Sequence, residues 1–325
     1  MNGIQEIRVS ATSGAADIDM ADEALFENLA DGDEGESDRI VRPCLSYWQD
    51  AWIRLKKNKV AMTGLCILIF YIIMAIAGPH LVGFDFRAID EAQMDRGPSA
   101  LHWFGTDTLG RDMWARVWVG ARVSLSIGFL AASLNAFIGV CLGGISGYFG
   151  GRLDMVIMRL IDVLSGIPNL IIAILVMVVL GAGIAPLVVA MIIVGWVSSA
   201  RLVRGQVLQL KNQEYVLAAR KLGASDLRII FRHLIPNTIG LILTNVTMTI
   251  PSAIFNEAFL SFIGLGVQPP NASWGLLARY GAQSFRVAPW QLFIPAFFIS
   301  TTVLSLYLLG DGLRDALDPK LRNQS

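Results

Sequence analysis

Six apolar stretches constrain what this chain can fold into more than any other feature of its sequence. A membrane-spanning helix needs about 20 mostly apolar residues. Apolar stretches cover approximately residues 60–76, 123–143, 170–181 (with apolar residues before it), 185–197 (which is short), 239–255 (apolar as far as 262) and 292–309. Charged residues make up only 16% of the chain, whereas soluble domains carry about 25%. The sequence therefore predicts an all-α integral membrane protein with six transmembrane helices, of which the third and fourth form a tight hairpin.

The segments outside the spans differ in charge and in apolar content. Residues 1–45 are crowded with Asp and Glu and hold few large apolar side chains, so we predict a disordered, acidic cytoplasmic tail. This tail lacks the basic start and the apolar stretch of a signal peptide. The other predicted segments are an N-terminal helix region with the first span (46–80), an extracytoplasmic loop (81–122), a transmembrane core (123–310) with a cytoplasmic loop (201–237), and a cytoplasmic C-terminal tail (311–325).

Lys and Arg residues beside the spans predict the orientation of the chain, because cytoplasmic loops carry an excess of them. The richer side contains Arg54, Lys56, Lys57, Lys59, Arg152, Arg159, the cations of 201–232, Arg314, Lys320 and Arg322. The loops on the other side hold fewer cations, and Asp and Glu dilute them. We therefore expect both termini to be cytoplasmic.

Glycines recur at every fourth position around the end of the second span, at Gly139, Gly143, Gly147 and Gly151. This spacing places them on one helix face, where small residues allow another backbone to approach closely. We interpret the glycine stripe as a helix-packing surface.

The charged segment "EYVLAARKLGASDLRIIFRHLIPN", residues 214–237, interrupts the apolar core and is called the insert below. Good helix formers precede Gly223, which is suited to end a helix in the left-handed conformation. Ser225 can cap a second helix, for which the spacing predicts an apolar face of Leu227, Ile230, Phe231 and Leu234. Pro236 is expected to stop or kink this helix.

Two interpretations of the insert are open from the residues alone. The small side chains of Ala218 and Ala219 would let an exposed helix sit deep in a groove of a partner. Alternatively, the insert is an amphipathic linker on lipid headgroups, held there by its Arg and Lys residues.

The insert resembles the "EAA" loop of permease subunits of ABC importers. The pattern falls on Leu217-Ala218-Ala219, Gly223 and the segment 233–236, with Leu217 in place of the usual Glu and His233 at an apolar position. The resemblance implies a coupling helix that docks into a cytoplasmic ATPase. The residues implied in this coupling are Leu217, Ala218, Ala219, Arg220, Gly223, Ala224, Ser225 and Pro236.

Three further blocks resemble the second ("C") permease of oligopeptide, dipeptide and nickel importers. They are "WFGTDTLGRDMWARVWVGARVSL" (103–125), "NEAFLSFIGLGVQPPNASWG" (256–275) and "GDGLRDALDPKL" (310–321). The resemblance implies the type I ABC importer permease fold and a place in a bacterial inner membrane. It also implies a second permease subunit, two ATPase subunits that bind ATP and Mg²⁺, a periplasmic solute-binding protein and surrounding lipid. Peptides are the expected substrate, with nickel or glutathione as alternatives.

Two groups of residues are candidates for roles outside the coupling loop. The pathway or gate candidates are Glu257, Ser261, Gly264, Gly266 and Pro269. The extracytoplasmic cap candidates are Gly105, Asp107, Gly110, Arg111 and Asp112. Glu257 could meet a substrate cation, because carboxylates at membrane depth usually face an interior or a cavity, or it could pair with an Arg of the cap. The cap could receive a solute-binding protein or could simply brace the loop, and the glycines after Glu257 could form a gate or a simple helix end.

Several functions lack their sequence signatures. The chain has no GxxxxGK[ST], HExxH or GxSxG pattern, and its Cys and His residues show no metal-ligand spacing. We therefore expect no nucleotide, metal or cofactor on this chain and no enzymatic activity of its own, and nothing indicates a nucleic-acid partner. A carrier driven by an ion gradient is a further alternative, although no internal repeat supports it. An intramembrane enzyme has no catalytic set to support it.

Overall fold

A computed structural model describes residues 46–317 of the 325-residue chain, so the predicted acidic tail (1–45) and the last residues of the predicted C-terminal tail lie outside the described residues. The described part is helical and contains no strand. The helices are α1 (Tyr47–Lys57), α2 (Lys59–Leu81), α3 (Met113–Phe149), α4 (Gly151–Gly166), α5 (Asn169–Leu180), α6 (Ile184–Leu210), α7 (Glu214–Lys221), α8 (Asp226–Ile229), α9 (Ile235–Asn237), α10 (Ile239–Phe262), α11 (Trp274–Gln283) and α12 (Trp290–Leu317).

Five of the described helical segments are long and apolar enough to cross a membrane: α2, α3, α6, α12 and the run from α8 through α10. The predicted third span, 170–181, falls on α5, which has 12 residues and does not qualify as a span by itself. It qualifies only together with α4, from which it is bent by 88° between Gly166 and Asn169. Pro168 explains the break, because a proline pushes the preceding residue out of the helical region, and Ile167 is extended with φ −102° and ψ 128°. The α5–α6 hairpin is confirmed, with only residues 181–183 between the helices.

Two other helices extend beyond the predicted apolar limits. Helix α3 has 37 residues instead of the 21 expected for 123–143, so it is about 55 Å long at 1.5 Å per residue. Helix α6 continues to Leu210, which makes the first ten residues of the predicted cytoplasmic loop helical. Both helices continue past their apolar stretches into segments that contain polar and charged residues. Helix ends predicted from hydropathy alone miss these extensions.

The glycine stripe joins α3 to α6, as predicted. A Cβ atom at Gly143 would overlap the carbonyl oxygen of Ala200, and Cβ atoms at Gly139 and Gly147 would crowd the same helix. Gly151 does not belong to the stripe, since no atom lies within 4 Å of its Cβ position and its φ of +57° helps to turn the chain between α3 and α4.

Aromatic side chains pack together near the start of α3, away from the glycine stripe. Tyr71 of α2, Trp118 of α3, Trp274 of α11 and Phe298 of α12 form one buried cluster. Trp274 also donates its indole N–H to the carbonyl oxygen of Val117 at 3.0 Å. This cluster fixes α11 against three long helices, beside the loop between α2 and α3.

Candidate functional site

The insert is seated on the ends of α3 and α6 by an apolar cluster. Val216 of α7 is fully buried, together with Ile229 and Ile230 of the second half of the insert. They pack with Val203 and Val207 of α6. The insert is therefore joined to the transmembrane bundle and is not a free linker.

The outward side of α7 is open. Leu217 is 40% exposed and Leu222 is 88% exposed, and Ala218 between them is exposed as well. Partial burial raises the pKa of the Tyr215 hydroxyl above its usual range. This side of α7 therefore presents small and apolar groups to any partner.

Gly223 forms the turn between the two halves of the insert, as the sequence predicts. Its φ is +82°, a value that favours glycine because it has no Cβ atom. Its N–H donates to the carbonyl oxygen of Arg220 at 3.0 Å. Ser225 occupies the N-cap position of α8, as predicted. Its side chain, however, makes no capping hydrogen bond.

The apolar face predicted for the second half of the insert is partly wrong. Ile230 and Leu234 are buried, but Leu227 and Phe231 are 59% and 48% exposed, and Ile229 is buried instead. The segment also contains a π-helical turn over Ile230–Leu234. The turn closes with a bond from the N–H of Ile235 to the carbonyl oxygen of Ile230, and this wider turn changes which side chains face the bundle. Pro236 follows the π turn inside α9, and the chain breaks at Thr238 before α10.

A polar link ties both halves of the insert to the end of α3. Tyr148 donates its hydroxyl to Asp226 at 2.6 Å, and Arg220 donates to the same hydroxyl oxygen at 3.2 Å. The Arg220 guanidinium also lies over the Tyr148 ring, 5.4 Å from its centroid. A displacement of either half of the insert would therefore change a contact of Tyr148 on α3.

Ion pairs connect the helices around this link. Arg204 of α6 donates to both carboxylate oxygens of Asp154 of α4, at 2.6 and 2.7 Å. Arg159 and Asp162 are three residues apart on α4, a spacing that would allow a pair on one helix face, but Asp162 pairs with Arg201 of α6 at 3.2 Å. Both carboxylates of α4 thus reach across to α6.

Asp107 is the centre of the cap between α2 and α3. Its carboxylate accepts the backbone N–H groups of Leu109 and Arg111, each at 2.9 Å, and the Nε–H of Arg111 at 2.7 Å. Arg116 of α3 lies 3.4 Å from the same carboxylate. These charges are buried, so they brace the loop, as predicted for one interpretation, and the solute-binding surface stays a prediction for the exposed residues around them.

Asp112 attaches the cap to α3. One oxygen accepts the N–H of Ala115 at 2.8 Å and caps the helix, and the other lies 2.8 Å from Nδ1 of His102. Gly105 and Gly110 both have positive φ, +73° and +71°. The predicted tight turns are confirmed at these two glycines.

We expect Gly110→Ala to loosen the cap. A Cβ atom at this position would overlap the backbone carbonyl of Asp90, at a φ that already disfavours alanine. Overpacking of this kind costs about 1–3 kcal/mol. The melting temperature of the purified protein in detergent should fall, whereas the control Gly97→Ala, with only one atom near its Cβ position, should leave it unchanged. Equal melting temperatures for the two variants would contradict this role of Gly110.

Glu257 of α10 is fully buried. Its Oε1 accepts the hydroxyl of Ser261 at 2.8 Å, while Oε2 has no hydrogen-bond partner. The hydroxyl groups of Ser124 and Ser273 lie beside it. No ion pair to Glu257 occurs within residues 46–317, so the expected partner in the cap is not found, and the pathway role stays a prediction.

Glu257 variants should separate a neutral from a charged role. Glu257→Gln keeps the size and the hydrogen-bonding capacity of a neutral acid, so we expect its melting temperature to stay near that of the wild type. Glu257→Lys buries a cation among hydroxyl groups, and an uncompensated buried charge costs about 3–5 kcal/mol. We expect this variant to lose the folded fraction on size-exclusion chromatography. A destabilised Gln variant beside a stable Lys variant would contradict a neutral role of Glu257.

The segment after α10 folds back as a compact turn. Ser261 accepts the N–H of Val267 at 3.1 Å, and a Cβ atom at Gly266 would overlap its hydroxyl. Gly264 has φ +92° and lies against the guanidinium of Arg279. The Pro269–Pro270 peptide bond is cis. Ser261, Gly264 and Gly266 thus lie within one helix end, and a role of this segment as a gate stays a prediction.

A largely apolar cavity of about 550 Å³, with several uncharged polar residues in its wall, lies between α3, α5, α6 and α10. We call it the amide cavity. Its polar lining residues are Asn135, Asn169, Ser198, Thr249, Ser252 and Asn256. Glu257 is not among the lining residues, although its neighbour Asn256 is. Sequence reasoning missed this cavity because uncharged polar residues inside apolar spans are not conspicuous, although Asn135 and Asn256 at membrane depth were a signal.

The long apolar helices, the buried cap and the exposed insert define a multi-pass membrane protein whose bundle carries an exposed helical insert at one end. Residues 139–323 match the family described as "Binding-protein-dependent transport system inner membrane component". Residues 46–98 match the "N-terminal TM domain of oligopeptide transport permease C". The chain belongs to the family of inner-membrane components of binding-protein-dependent transport systems, which confirms the resemblance.

The similar proteins are permeases of several transport systems. The dipeptide transport system permease protein DppC of Bacillus subtilis is 54% identical over 88% of this chain and 90% of its own length. The oligopeptide transport system permease protein OppC of the same organism is 51% identical over 92% and 97%. The glutathione transport system permease protein GsiD of Escherichia coli is 43% identical over 85% and 91%.

The fold is also found in a solved structure. A chain of the MetNI methionine ABC transporter, in an inward-facing conformation, aligns with a TM-score of 0.50 at 17% identity and covers 62% of this chain and 97% of its own. At this identity the likeness supports the type I permease fold alone.

Proposed function

We propose that this chain is one of two permease subunits of an ATP-driven importer of di- or oligopeptides. The observation that carries the proposal is the exposed helix–glycine–helix insert, tied to α3 through Tyr148, in a chain 54% identical to a dipeptide permease. The chain contributes a path and a docking element, and it performs no chemistry of its own.

The insert faces the cytoplasm of a bacterial cell in this proposal, and the cap lies on the outer face of the inner membrane. The excess of Lys and Arg on the side of the insert supports this orientation. Both termini are then cytoplasmic, and a solute-binding protein delivers substrate to the exposed surface around the braced cap.

One of two ATPase subunits docks against the exposed face of α7, and the ATPase subunits hold the ATP and Mg²⁺. Ala218 and Leu222 are exposed there, and small and apolar groups suit a tightly packed groove. Leu217, where a Glu is usual, adds to the apolar character of this contact.

Movement of the docked insert is transmitted to the bundle along two routes. The Arg220–Tyr148–Asp226 link carries it to the end of α3. The π turn and α9 lead directly into α10, which lines the amide cavity. Alternating access then follows from ATP-dependent displacement of α3 and α10 relative to each other.

Reconstitution tests the proposal. The chain, co-expressed with a second permease, ATPase subunits and a solute-binding protein encoded beside it, should purify as one detergent complex and accumulate labelled peptide in liposomes only with ATP. Uptake by this chain alone, driven by a proton or sodium gradient, would refute the proposal. Uptake of glutathione but not of dipeptides would favour the second candidate, which the 43% identity to GsiD supports.

A further inference from the structure

We infer that the exposed face of α4 is a binding surface for the headgroups of anionic phospholipids. This inference goes beyond the proposed function, because it assigns a lipid class to one helix and does not depend on the transported substrate. Its basis is the direction of α4 relative to the transmembrane helices and the order of the side chains around it.

Helix α4 runs across the bundle and not along it. Ala173 and Met177 of α5 pack with Leu187 and Ala190 of α6, so α5 runs back along α6, which is long enough to cross a membrane. The axis of α4 is bent by 88° from that of α5. Because α5 follows the direction of the spans, α4 lies close to the plane of the membrane.

The contacts of α4 with α6 place it at the edge of the membrane. Ile161 is fully buried and packs in one cluster with Ala200, and Asp154 pairs with Arg204. The apolar stretch of α6 ends near residue 197, so these contacts lie where its polar residues begin. The insert packs against the same end of α6, so α4 lies on the side of the insert.

The exposed face of α4 is ordered into two stripes. Arg152 and Arg159 form a cationic stripe, because seven residues are close to two helical turns. A valine follows each arginine four residues later, which places an apolar stripe directly beside the cationic one. The members of this apolar stripe are 45–68% exposed, and they are Leu153, Val156, Leu160 and Val163. A helix with adjacent cationic and apolar sides is suited to lie in the interface of a membrane.

The two arginines carry charge that no described carboxylate neutralises. Both are exposed, and neither forms an ion pair within residues 46–317. Both carboxylates of α4 are instead paired with arginines of α6. A guanidinium binds a phosphate group through two parallel hydrogen bonds, and cations at a membrane surface attract anionic lipids.

A second protein subunit is the alternative occupant of this face. The core of a protein interface is poor in charged residues, whereas two guanidinium groups border the apolar stripe here. Long basic side chains at the edge of an apolar surface extend into the headgroup region of a lipid. A headgroup without a cation of its own, such as that of phosphatidylglycerol, suits the two arginines better than phosphatidylcholine.

A fluorophore in the apolar stripe tests the inference. It is attached at Leu160→Cys, in a protein whose three native cysteines are replaced by serine, and the chain is reconstituted in bilayers with any subunits that co-purify. Nitroxide-labelled phosphatidylglycerol should quench this fluorophore at a lower mole fraction than labelled phosphatidylcholine. Arg152→Gln and Arg159→Gln should each reduce the preference about fivefold, the size expected for the loss of one cation at an anionic surface.

Arg152→Lys and Arg87→Gln are the matched controls. Lysine keeps the charge at the same position, and Arg87 is an exposed arginine of the cap that lies over the Phe86 ring, away from α4. Both variants should keep the lipid preference of the wild type.

Three results would overturn the inference and leave the proposed function standing. They are equal quenching by both lipids in the wild type, an unchanged preference in both glutamine variants, and no quenching by either lipid, which would show that a protein subunit covers the stripe. The measurement needs neither ATP nor peptide, so a failure of the proposed function would leave its result unaffected.

Discussion

Gly223→Pro is expected to abolish ATP-driven uptake while the protein still inserts into the membrane. Proline fixes φ near −65°, and the native value is +82°. The variant also loses the N–H that donates to Arg220. The two halves of the insert would then separate, and α7 would leave its place against the bundle. Uptake into liposomes and binding of the ATPase subunits to the purified permease measure both consequences.

Gly205→Ala is the control for this variant. Gly205 lies in α6 with no atom within 4 Å of its Cβ position, so the substitution should preserve both uptake and ATPase binding. Normal uptake by the Gly223→Pro variant would contradict a coupling role for the insert. Loss of uptake without loss of ATPase binding would place the defect in transmission and not in docking.

Gly143→Ala should destabilise the whole bundle. The added methyl group would overlap the carbonyl of Ala200, and α3 and α6 approach each other along this stripe. We expect a loss of about 1–3 kcal/mol, because a rigid backbone lies opposite the new atom. The melting temperature in detergent and the yield of monodisperse protein should both fall.

The adjacent residue offers a matched comparison. A Cβ atom at Gly144 would lie 3.4 Å from the nearest side-chain atom, on Ile230, which is an ordinary contact. Gly144→Ala should therefore keep the melting temperature of the wild type. If the two variants were equally stable, the close approach of α3 and α6 would not depend on the stripe.

Local sequence was sufficient for the features that depend on a few neighbouring residues. Five apolar spans, the α5–α6 hairpin and the turns at Gly105, Gly110 and Gly223 follow from hydropathy and from backbone preferences. The glycine stripe also predicted a packing face, because helical periodicity alone aligns its members.

Features set by contacts between distant residues were not predictable in this way. The pairing of Asp162 with Arg201 depends on where α4 lies relative to α6, and spacing within one helix suggested Arg159 instead. The Tyr148 link joins residues more than 70 positions apart. The buried environment of Glu257 is made by serines from three segments, so its depth was predictable from its place in an apolar span, but its neighbours were not.

The π turn at Ile230–Leu234 sets the rotation of α10 about its axis relative to α7. Each residue of an α-helix turns the chain by about 100°, and a π turn holds one residue more than an α turn. Deleting one residue from this turn would therefore rotate the side chains of α10 by roughly that angle relative to α7. Asn256 and its neighbours would then leave the amide cavity, although their sequence would be unchanged. The length of a single helical turn thus determines which side chains of α10 line the amide cavity.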